Sequence, residues 1–341
     1  MTITALQTDG YKLGHKDMFP KNTTFCYTNF TCRSLKHFKS AEGFDNKVVF
    51  FGLQAVIQRL LIDDWNQNFF NLPVNDVLRQ YTRRVNNYLG PGVINTNHIK
   101  TLHELGYLPI LIKALPEGSR VNARVPLWTI QNTQQDFFWL VNYLETQLSC
   151  ASWKMPTSAT TAYEFRRLFM KWANETGGDQ SFVPFQGHDF SMRGMSGLED
   201  AASSGAAHLL SFVGTDTVPA IDFLERYYKA DSDQEMVGVS VPATEHSVMC
   251  MGGMKDEIGT FERLITEICP EGIVSVVSDT WDFWKVVTEY LPALKDKIMA
   301  RNGKLVIRPD SGNPADILCG TVNIPGVSGH HYSPIEKGLI Q

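Results

Sequence analysis

The sequence predicts an α/β protein in which an irregular (β/α) barrel stands beside an α+β domain. From about residue 182, short apolar runs alternate with helical stretches at roughly thirty residues per unit, the pattern of parallel strands joined by helical crossovers. Each of five apolar runs is followed by polar or charged residues. In a β/α barrel these strand ends open on one face, where active sites lie. No Gly-x-Gly-x-x-Gly follows a strand, which argues against a Rossmann dinucleotide site.

The barrel domain is predicted to cover residues 181–341. Its strands are predicted at Val183–Phe185, Leu210–Val213, Val237–Val241, Ile273–Val277 and Lys304–Ile307. Helices are predicted at Gly197–Leu210, Thr217–Tyr228, Asp256–Ile268 and Trp281–Ala300. A closed eight-stranded barrel needs about 200 residues or more. The barrel is therefore irregular, completed by N-terminal strands, or cut short by the end of the chain.

Residues 1–180 mix element types and are predicted to form the α+β domain. Lys47–Ile62 begins with a short apolar run and continues as an amphipathic helix, and further helices are predicted at Asp136–Ser149 and Ser158–Trp172. Leu108–Leu115 and Val125–Ile130 are predicted strands, bounded by proline and glycine.

Composition excludes several classes of protein. Lys and Arg number 31 against 36 Asp and Glu, and the resulting charge of −5 gives no indication of a nucleic-acid partner. No apolar run reaches the roughly 18 residues of a membrane span, and the N-terminus lacks a signal-peptide pattern. Six scattered cysteines without a Cys-x-x-Cys pair argue against a zinc site and a disulfide framework, and favour a cytoplasmic protein.

The candidate site residues follow the predicted strands. Singly they are weak signals, because an aspartate there is as often a helix cap, and a histidine or aromatic residue is often structural. Together, two arginines suit phosphate or carbonyl oxygens, aspartates suit ribose hydroxyls or an amide, and an aromatic ring can stack on a flat ligand. The implied ligand is flat, sugar-linked and phosphorylated. These candidates are Phe190, Arg193, Asp216, Ser240, His246, Asp279, Arg308 and Asp310.

Six co-linear blocks, from about residue 8 to residue 316, resemble the nicotinamide phosphoribosyltransferase family. The blocks are Asp9-Gly-Tyr11-Lys12, His188-Asp189-Phe190 with Arg193-Gly194, Gly214-Thr-Asp216, Ser240-Val-Pro-Ala-Thr-Glu-His246, Ser275-Val-Val-Ser-Asp279 and Ile307-Arg-Pro-Asp310-Ser-Gly. The resemblance implies transfer of phosphoribosyl from phosphoribosyl pyrophosphate to nicotinamide in NAD salvage. It also implies a type II phosphoribosyltransferase fold and a homodimer with shared active sites.

The resemblance assigns a role to each matching residue. Phe190 and Tyr11 of the neighbouring subunit would enclose the nicotinamide ring, and Asp216 would accept a hydrogen bond from the carboxamide. Arg193 and Arg308 would surround the carboxamide and phosphate end. Ser240 would lie beside the base, and Asp310 would hold ribose hydroxyls. His246, near Asp279, would be phosphorylated by ATP. Asp9 and Arg33 would serve the partner's ribose and pyrophosphate region.

The implied chemistry needs Mg²⁺ with the pyrophosphate or ATP, and ATP as a coupled co-substrate. Relatives continue past Gln341 with a Gly-Asp-Gly ribose contact, a glycine-rich phosphate loop and further basic residues. None of these is found here, so the barrel is expected to be incomplete at its C-terminus. Gly320–Gly338 is predicted to be a loop insertion.

Three other functions are compatible with parts of this pattern. A nicotinate-type phosphoribosyltransferase shares the barrel, but the carboxylate of Asp216 would repel that of nicotinate. A glycoside hydrolase needs two opposed acids about 5–10 Å apart and leaves Arg193 and Arg308 unexplained. A non-catalytic dimerisation or binding form of the same fold is the third, because of the truncation.

Overall fold

The structure is a computed structural model that describes residues 2–38, 43–321 and 332–340. By the density of its internal contacts, the chain divides into two compact units, Met1–Val239 and Ser240–Gln341. The division predicted from sequence, an α+β domain at 1–180 and a truncated barrel domain at 181–341, stays a prediction.

The N-terminal half of the first unit contains two antiparallel sheets. Strands β1 (Tyr27–Thr31), β2 (Lys47–Val49), β3 (Ile110–Ala114), β4 (Arg120–Asn122) and β5 (Pro126–Asn132) form them in the orders β1-β5-β3 and β2-β4. Strand β5 lies in the centre of its sheet, which explains why four of its seven residues are buried. The strands predicted at Leu108–Leu115 and Val125–Ile130 correspond to β3 and β5.

Helices surround these sheets. The α-helices of the first unit are His15–Met18, Leu53–Val56, Val74–Leu89, Asn97–Leu105, Leu140–Ser152, Lys154–Thr176, Val183–Gln186, Leu198–His208 and Pro219–Tyr228. Shorter 3₁₀ turns are Thr4–Leu6, Gly10–Gly14, Gln135–Phe137, Gln180–Phe182 and Met192–Gly194. Ile57–Asp64 and Asn66–Phe70 carry π-type hydrogen bonding.

One helix start in this unit depends on a distant carboxylate. Gly52 has φ of 106°, a conformation that favours glycine, and it precedes the helix Leu53–Val56. Glu117 accepts hydrogen bonds from the backbone N–H groups of Gly52 (2.8 Å) and Gln54 (2.7 Å). Its carboxylate also accepts from the Tyr228 hydroxyl at 2.7 Å. Glu117 thereby satisfies donors that a helix N-terminus would otherwise leave unpaired, and it joins this helix to Pro219–Tyr228.

The C-terminal part of the first unit contains parallel strands. Strands β6 (His188–Asp189) and β7 (Gly214–Thr215) pair in parallel, and Gly214 bridges to Val239 on the other side. The helix Leu198–His208 connects β6 to β7, as the alternating pattern predicts. Two strand predictions are wrong. Leu210–Val213 is a turn followed by irregular backbone, in which the His208 carbonyl accepts from the N–H groups of Ser211 and Phe212, and β7 begins only at Gly214. Val183–Phe185 lies in the helix Val183–Gln186. Pro184 occupies the first turn of this helix, where its fixed φ is favourable and its missing N–H costs nothing.

The second unit repeats the parallel arrangement with longer strands. Strand β8 (Glu271–Val277) pairs in parallel with β9 (Asn302–Arg308) over all seven residues, and Ala243 bridges to Ser275 on the other edge of β8. The buried core around β8 contains Met249, Phe261, Ile265, Val274, Val276, Val277, Val286 and Leu294. Its α-helices are His246–Gly252, Glu257–Arg263, Phe283–Lys285, Leu291–Ala293, Lys295–Met299, Pro314–Cys319 and Pro334–Lys337. Met254–Asp256 is a 3₁₀ turn, and Leu264–Ile268 and Val286–Tyr290 carry π-type hydrogen bonding.

The predicted loop Gly320–Gly338 lies partly outside the described residues, because residues 322–331 are not described. Its last part is the short helix Pro334–Lys337, which begins with a capping box formed by Ser333 and Glu336. Within the described ranges, no helix combines the length and the apolar character needed to cross a membrane.

Candidate active site

The first cluster of candidate residues lies at the carboxyl ends of β6 and β7. Because the two strands are parallel and His188 pairs with Gly214, the residues that follow them meet at one edge. His188 Nε2 lies 2.8 Å from Asp216 Oδ1. The rings of His188 and Phe190 are 4.6 Å apart between centroids and inclined by 33°, and the Phe190 side chain remains 55% exposed. The structure therefore brings together a carboxylate, an imidazole and an accessible aromatic face.

The buried Asp189 stabilises this edge of the sheet through its hydrogen bonds. Its Oδ1 accepts a hydrogen bond from the Ser191 backbone N–H at 2.9 Å, and its backbone oxygen accepts from the Asp216 N–H at 2.9 Å. Burial raises the pKa of the Asp189 carboxyl, but the hydrogen bond from Ser191, together with the nearby Thr217 and His208, outweighs burial and lowers it. Asp189 thus remains ionised, and its hydrogen bonds fix the backbone next to Phe190 and at Asp216.

Gly214 explains how the His188 ring reaches Asp216. A Cβ atom at Gly214 would lie 2.7 Å from His188 Nδ1, closer than non-bonded atoms approach. The imidazole therefore packs closely against Gly214, and any larger residue there would displace it.

Arg193 follows Phe190 on the exposed 3₁₀ turn Met192–Gly194. Among the described residues it makes no hydrogen bond or ion pair with Asp216 or Phe190. Its predicted role toward the ligand remains a prediction.

The second cluster lies in the second unit and is centred on His246. Its Nε2 is 3.2 Å from Asp279 Oδ1, and its Nδ1 is 3.8 Å from Asp310 Oδ2. Arg308 Nε lies 3.7 Å from Asp310 Oδ1, and Arg308 also donates from Nη2 to the Thr244 carbonyl at 2.8 Å. The structure thus brings together His246, Asp279, Arg308 and Asp310, four of the residues predicted from sequence.

Asp279 is the most deeply placed member of this cluster, with its side chain 8% exposed. Its Oδ2 accepts from the Asp310 backbone N–H at 3.0 Å and from Ser311 Oγ at 2.5 Å. Burial alone would raise the pKa of its carboxyl, but these hydrogen bonds, together with those of its own backbone and His246, lower it below the usual value. An ionised Asp279 can accept the imidazole N–H and orient the ring.

Three residues that complete these clusters have no role predicted from the sequence. His188 belongs to the motif block His188-Asp189-Phe190, and its position after a predicted strand is a signal for it. Ser311 closes on Asp279, and Thr244 accepts a hydrogen bond from Val277 N–H through Oγ1 at 3.0 Å while its carbonyl receives Arg308. The adjacency of strands β8 and β9 produces these contacts, and a single strand does not reveal them.

The residues predicted to serve a partner subunit lie elsewhere in the first unit. Tyr11 is 63% exposed, and its segment is anchored to the helix Leu140–Ser152. Thr146 Oγ1 donates to Asp9 Oδ2 at 2.6 Å, and the buried Lys12 bonds Glu145 at 2.7 Å. Arg33 is exposed beside a cleft of about 470 Å³.

Ser240 is the first residue of the second unit and is exposed. Among the residues that the structure describes, no group of three or more His, Cys, Asp or Glu side chains is arranged to hold a metal ion.

The sequence and fold match known proteins along nearly the whole chain. Residues 185–337 match the nicotinate phosphoribosyltransferase (NAPRTase) family, and residues 3–68 match the nicotinamide phosphoribosyltransferase N-terminal domain. The nicotinamide phosphoribosyltransferase of Acinetobacter baylyi is 52% identical over 98% of this chain and 66% of its own length. That of Mycoplasma pneumoniae is 33% identical over 97% of this chain and 70% of its own.

Solved structures agree with this match at the level of the fold. The structure superposes on human nicotinic acid phosphoribosyltransferase with a TM-score of 0.54, at 16% identity, over 89% of this chain and 61% of the human one. For nicotinate-nucleotide pyrophosphorylase from Pyrococcus furiosus the TM-score is 0.51, at 15% identity, over 91% of this chain and 58% of that one. The chain therefore has the fold of the nicotinate-type phosphoribosyltransferases.

Within that class, the chain belongs to the nicotinamide phosphoribosyltransferase family. It spans about two thirds of the length of the curated relatives named above.

Proposed function

We propose that this chain transfers the phosphoribosyl group of phosphoribosyl pyrophosphate to nicotinamide, forming nicotinamide mononucleotide and pyrophosphate in NAD salvage. The observation that carries the proposal is that the Asp216 carboxylate and the exposed Phe190 ring both contact His188, at the carboxyl ends of two parallel strands. The names of the relatives support the same activity.

A carboxylate beside an aromatic face suits a flat ring that carries an amide. Phe190 would stack on the pyridine ring, and Asp216 would accept a hydrogen bond from the carboxamide NH₂. Nicotinate carries a carboxylate at the same position, and like charges this close repel. The acidic residue thus favours the amide over the acid, and Arg193, Ser240 and Arg308 would complete the contacts to the base and phosphate.

The transfer forms a bond between the pyridine nitrogen and the anomeric carbon of the ribose, and it breaks the bond from that carbon to pyrophosphate. The nucleophile is the substrate nitrogen, so the protein needs to position and to stabilise charge. Asp310 would hold ribose hydroxyls. Mg²⁺ fits as an ion carried by pyrophosphate or ATP, because the described residues contain no ready cage and Mg²⁺ is commonly held by substrate phosphates with one or two carboxylates.

His246 would perform a separate step in which ATP phosphorylates it. Asp279 accepts from the imidazole at Nε2, so the tautomer with hydrogen on Nε2 leaves a lone pair on Nδ1. That nitrogen would attack the γ-phosphorus, and the bond to the ADP oxygen would break. The phosphorylated imidazole adds negative charge that can organise Mg²⁺ and the donor.

We further propose a cytoplasmic homodimer in which Tyr11, Asp9 and Arg33 complete the partner's site. The exposure of Tyr11 and Arg33 supports this role, since neither residue is used by the core of its own chain. The six cysteines are all free, which suits a reducing compartment.

Product formation tests the proposal. The purified chain is incubated with labelled nicotinamide, phosphoribosyl pyrophosphate and Mg²⁺, with and without ATP, and the products are separated by chromatography. We expect nicotinamide mononucleotide and equimolar pyrophosphate, with no product when the donor is omitted. Absence of the mononucleotide, from a chain whose circular dichroism shows it to be folded, would reject the activity.

A further inference from the structure

Neither the family match nor the motifs give a function to His188, which contacts the residue proposed to read the amide. Its Nε2 lies 2.8 Å from Asp216 Oδ1, and its side chain is 25% exposed against 44% for Asp216. The less exposed His188 imidazole is therefore placed to fix the more exposed Asp216 carboxylate. A carboxylate only accepts hydrogen bonds, so the imidazole is the donor and carries its hydrogen on Nε2.

Three contacts fix the imidazole in this orientation. Its Nδ1 edge faces the Gly214 backbone, where a Cβ would come within 2.7 Å. Its ring packs on Phe190 at 4.6 Å between centroids. Its backbone pairs with Gly214 in the parallel ladder between β6 and β7. Because two contacts hold the ring and the ladder holds its backbone, the Nε2–H direction is set by the fold before any ligand arrives.

We propose that His188 is a positioning residue that orients the Asp216 carboxylate toward the nicotinamide carboxamide and so contributes to the selection of the amide over the acid. The hydrogen bond to Oδ1 fixes the plane of a carboxylate that is otherwise substantially exposed. The hydrogen bond also orders the Asp216 carboxylate before the ligand binds, so that less side-chain entropy of Asp216 is lost on binding. This inference rests on the proposed function.

Two substitutions separate positioning from packing. His188→Leu removes the donor, whereas His188→Gln retains an N–H at about the same reach. The matched control is His208→Gln, because His208 is a neighbouring imidazole whose Nε2 bonds the Gly214 carbonyl at 3.1 Å. The nicotinamide dissociation constant is measured by calorimetry. The ratio of nicotinamide mononucleotide to nicotinate mononucleotide is measured from an equimolar mixture of the two bases.

We expect His188→Leu to weaken nicotinamide binding about tenfold, because binding must then order the Asp216 side chain that His188 otherwise holds in place. The product ratio should fall with it, since nicotinate gains nothing from an oriented carboxylate. His188→Gln should recover most of both losses, and His208→Gln should leave the ratio unchanged.

The results that would overturn the positioning role differ from the result that would overturn the proposed function. The positioning role would be overturned if His188→Leu left nicotinamide binding unchanged or weakened the binding of both bases equally. It would also be overturned if His188→Gln recovered neither loss, or if His208→Gln changed the product ratio to the same extent. In each of these cases the proposed function stands. If the wild-type chain binds no nicotinamide, the proposed function fails, and this inference fails with it.

Discussion

Asp279 holds His246 with one carboxylate oxygen and the loop after β9 with the other. Oδ1 lies 3.2 Å from His246 Nε2, and Oδ2 accepts from Asp310 N–H and Ser311 Oγ. The carboxylate is nearly buried and its pKa is lowered by the hydrogen bonds it accepts, which outweigh burial. An imidazole held in this way presents a constant ring face and a defined tautomer.

The first prediction concerns the proposed phosphorylation. His246→Ala should abolish labelling by γ-labelled ATP while some uncoupled transfer remains, because the histidine is not the nucleophile of the transfer. Asp279→Asn should slow labelling roughly tenfold or more, since an amide orients the imidazole less well than a carboxylate. The control is His103→Gln, whose native ring bonds the Leu72 carbonyl and lies outside the cluster. Acid-labile phosphate on His246→Ala would show that another residue accepts it.

The second prediction concerns the stacking ring. Phe190→Ala should weaken nicotinamide binding by roughly 1–3 kcal/mol, the range for base–aromatic stacking. Phe182 is a matched control because its side chain is also 55% exposed, but it packs on Phe185 away from the strand ends. Calorimetry with Phe182→Ala should give the wild-type affinity. Equal affinities for both variants and the wild type would remove Phe190 from the site.

The third prediction concerns assembly. If each site takes Tyr11 from the neighbouring subunit, two inactive variants, Tyr11→Ala and Asp310→Ala, should rescue each other. A mixed dimer carries both lesions in one site and leaves the other intact. Random pairing makes about half of the dimers mixed, so roughly a quarter of wild-type activity should return by two-fold symmetry. With subunit exchange verified by differently labelled chains, a mixture no more active than its parents would mean that each site is built from one chain.

The fourth prediction concerns stability and pH. Glu257 is 3% exposed, and its Oε1 has no hydrogen-bond partner among the described residues. Burial raises the pKa of this carboxyl, with Asp282 adding to the increase and Lys285 opposing it. The folded state therefore binds this proton more tightly than the unfolded state does. Its contribution to stability is complete below the unfolded value of 4.5 and is lost as the pH rises through the folded pKa.

Glu257→Gln should accordingly raise the free energy of unfolding by about 1 kcal/mol at pH 7, because it removes a buried charge and keeps the shape. The gain in stability should disappear by about pH 4, where the wild-type Glu257 carboxyl is largely protonated in both the folded and the unfolded state. Urea unfolding at both pH values measures it, and the exposed Glu267→Gln in the same region serves as the control. A variant less stable than wild type at pH 7 would mean that the charge has a partner in solution.

Much of the fold followed from the sequence because apolar runs and helical periodicity repeat along the second half. The strands predicted at Ile273–Val277 and Lys304–Ile307 lie within β8 and β9, and their parallel pairing follows from the helices between them. The strand predicted at Val183–Phe185 is wrong because a run of only three residues is too short to distinguish a strand from a helix. Pro184 favours the first turn of a helix, and the Asp179 side chain caps the 3₁₀ turn that precedes it.

The sequence predicted that several of the candidate residues would lie close together, but it did not predict their contacts. Residues after parallel strands were expected to meet, and His246, Asp279 and Asp310 do. That Asp279 would share its second oxygen with Ser311, and that His188 would turn toward Asp216, depends on side-chain rotamers and on strand neighbours distant in sequence. No local pattern carries that information.

We propose that Asp216 makes this chain select the amide, and a competition between the two bases measures that selection. Equimolar nicotinamide and nicotinate are supplied together with phosphoribosyl pyrophosphate and Mg²⁺, and both mononucleotides are quantified in one reaction. For the wild type we expect nicotinamide mononucleotide to exceed nicotinate mononucleotide by about tenfold or more, the ratio that 1.4 kcal/mol of carboxylate repulsion gives. Asp216→Asn should lower this ratio by relieving the repulsion. A wild-type preference for nicotinate, or a ratio that Asp216→Asn leaves unchanged while activity persists, would contradict the account.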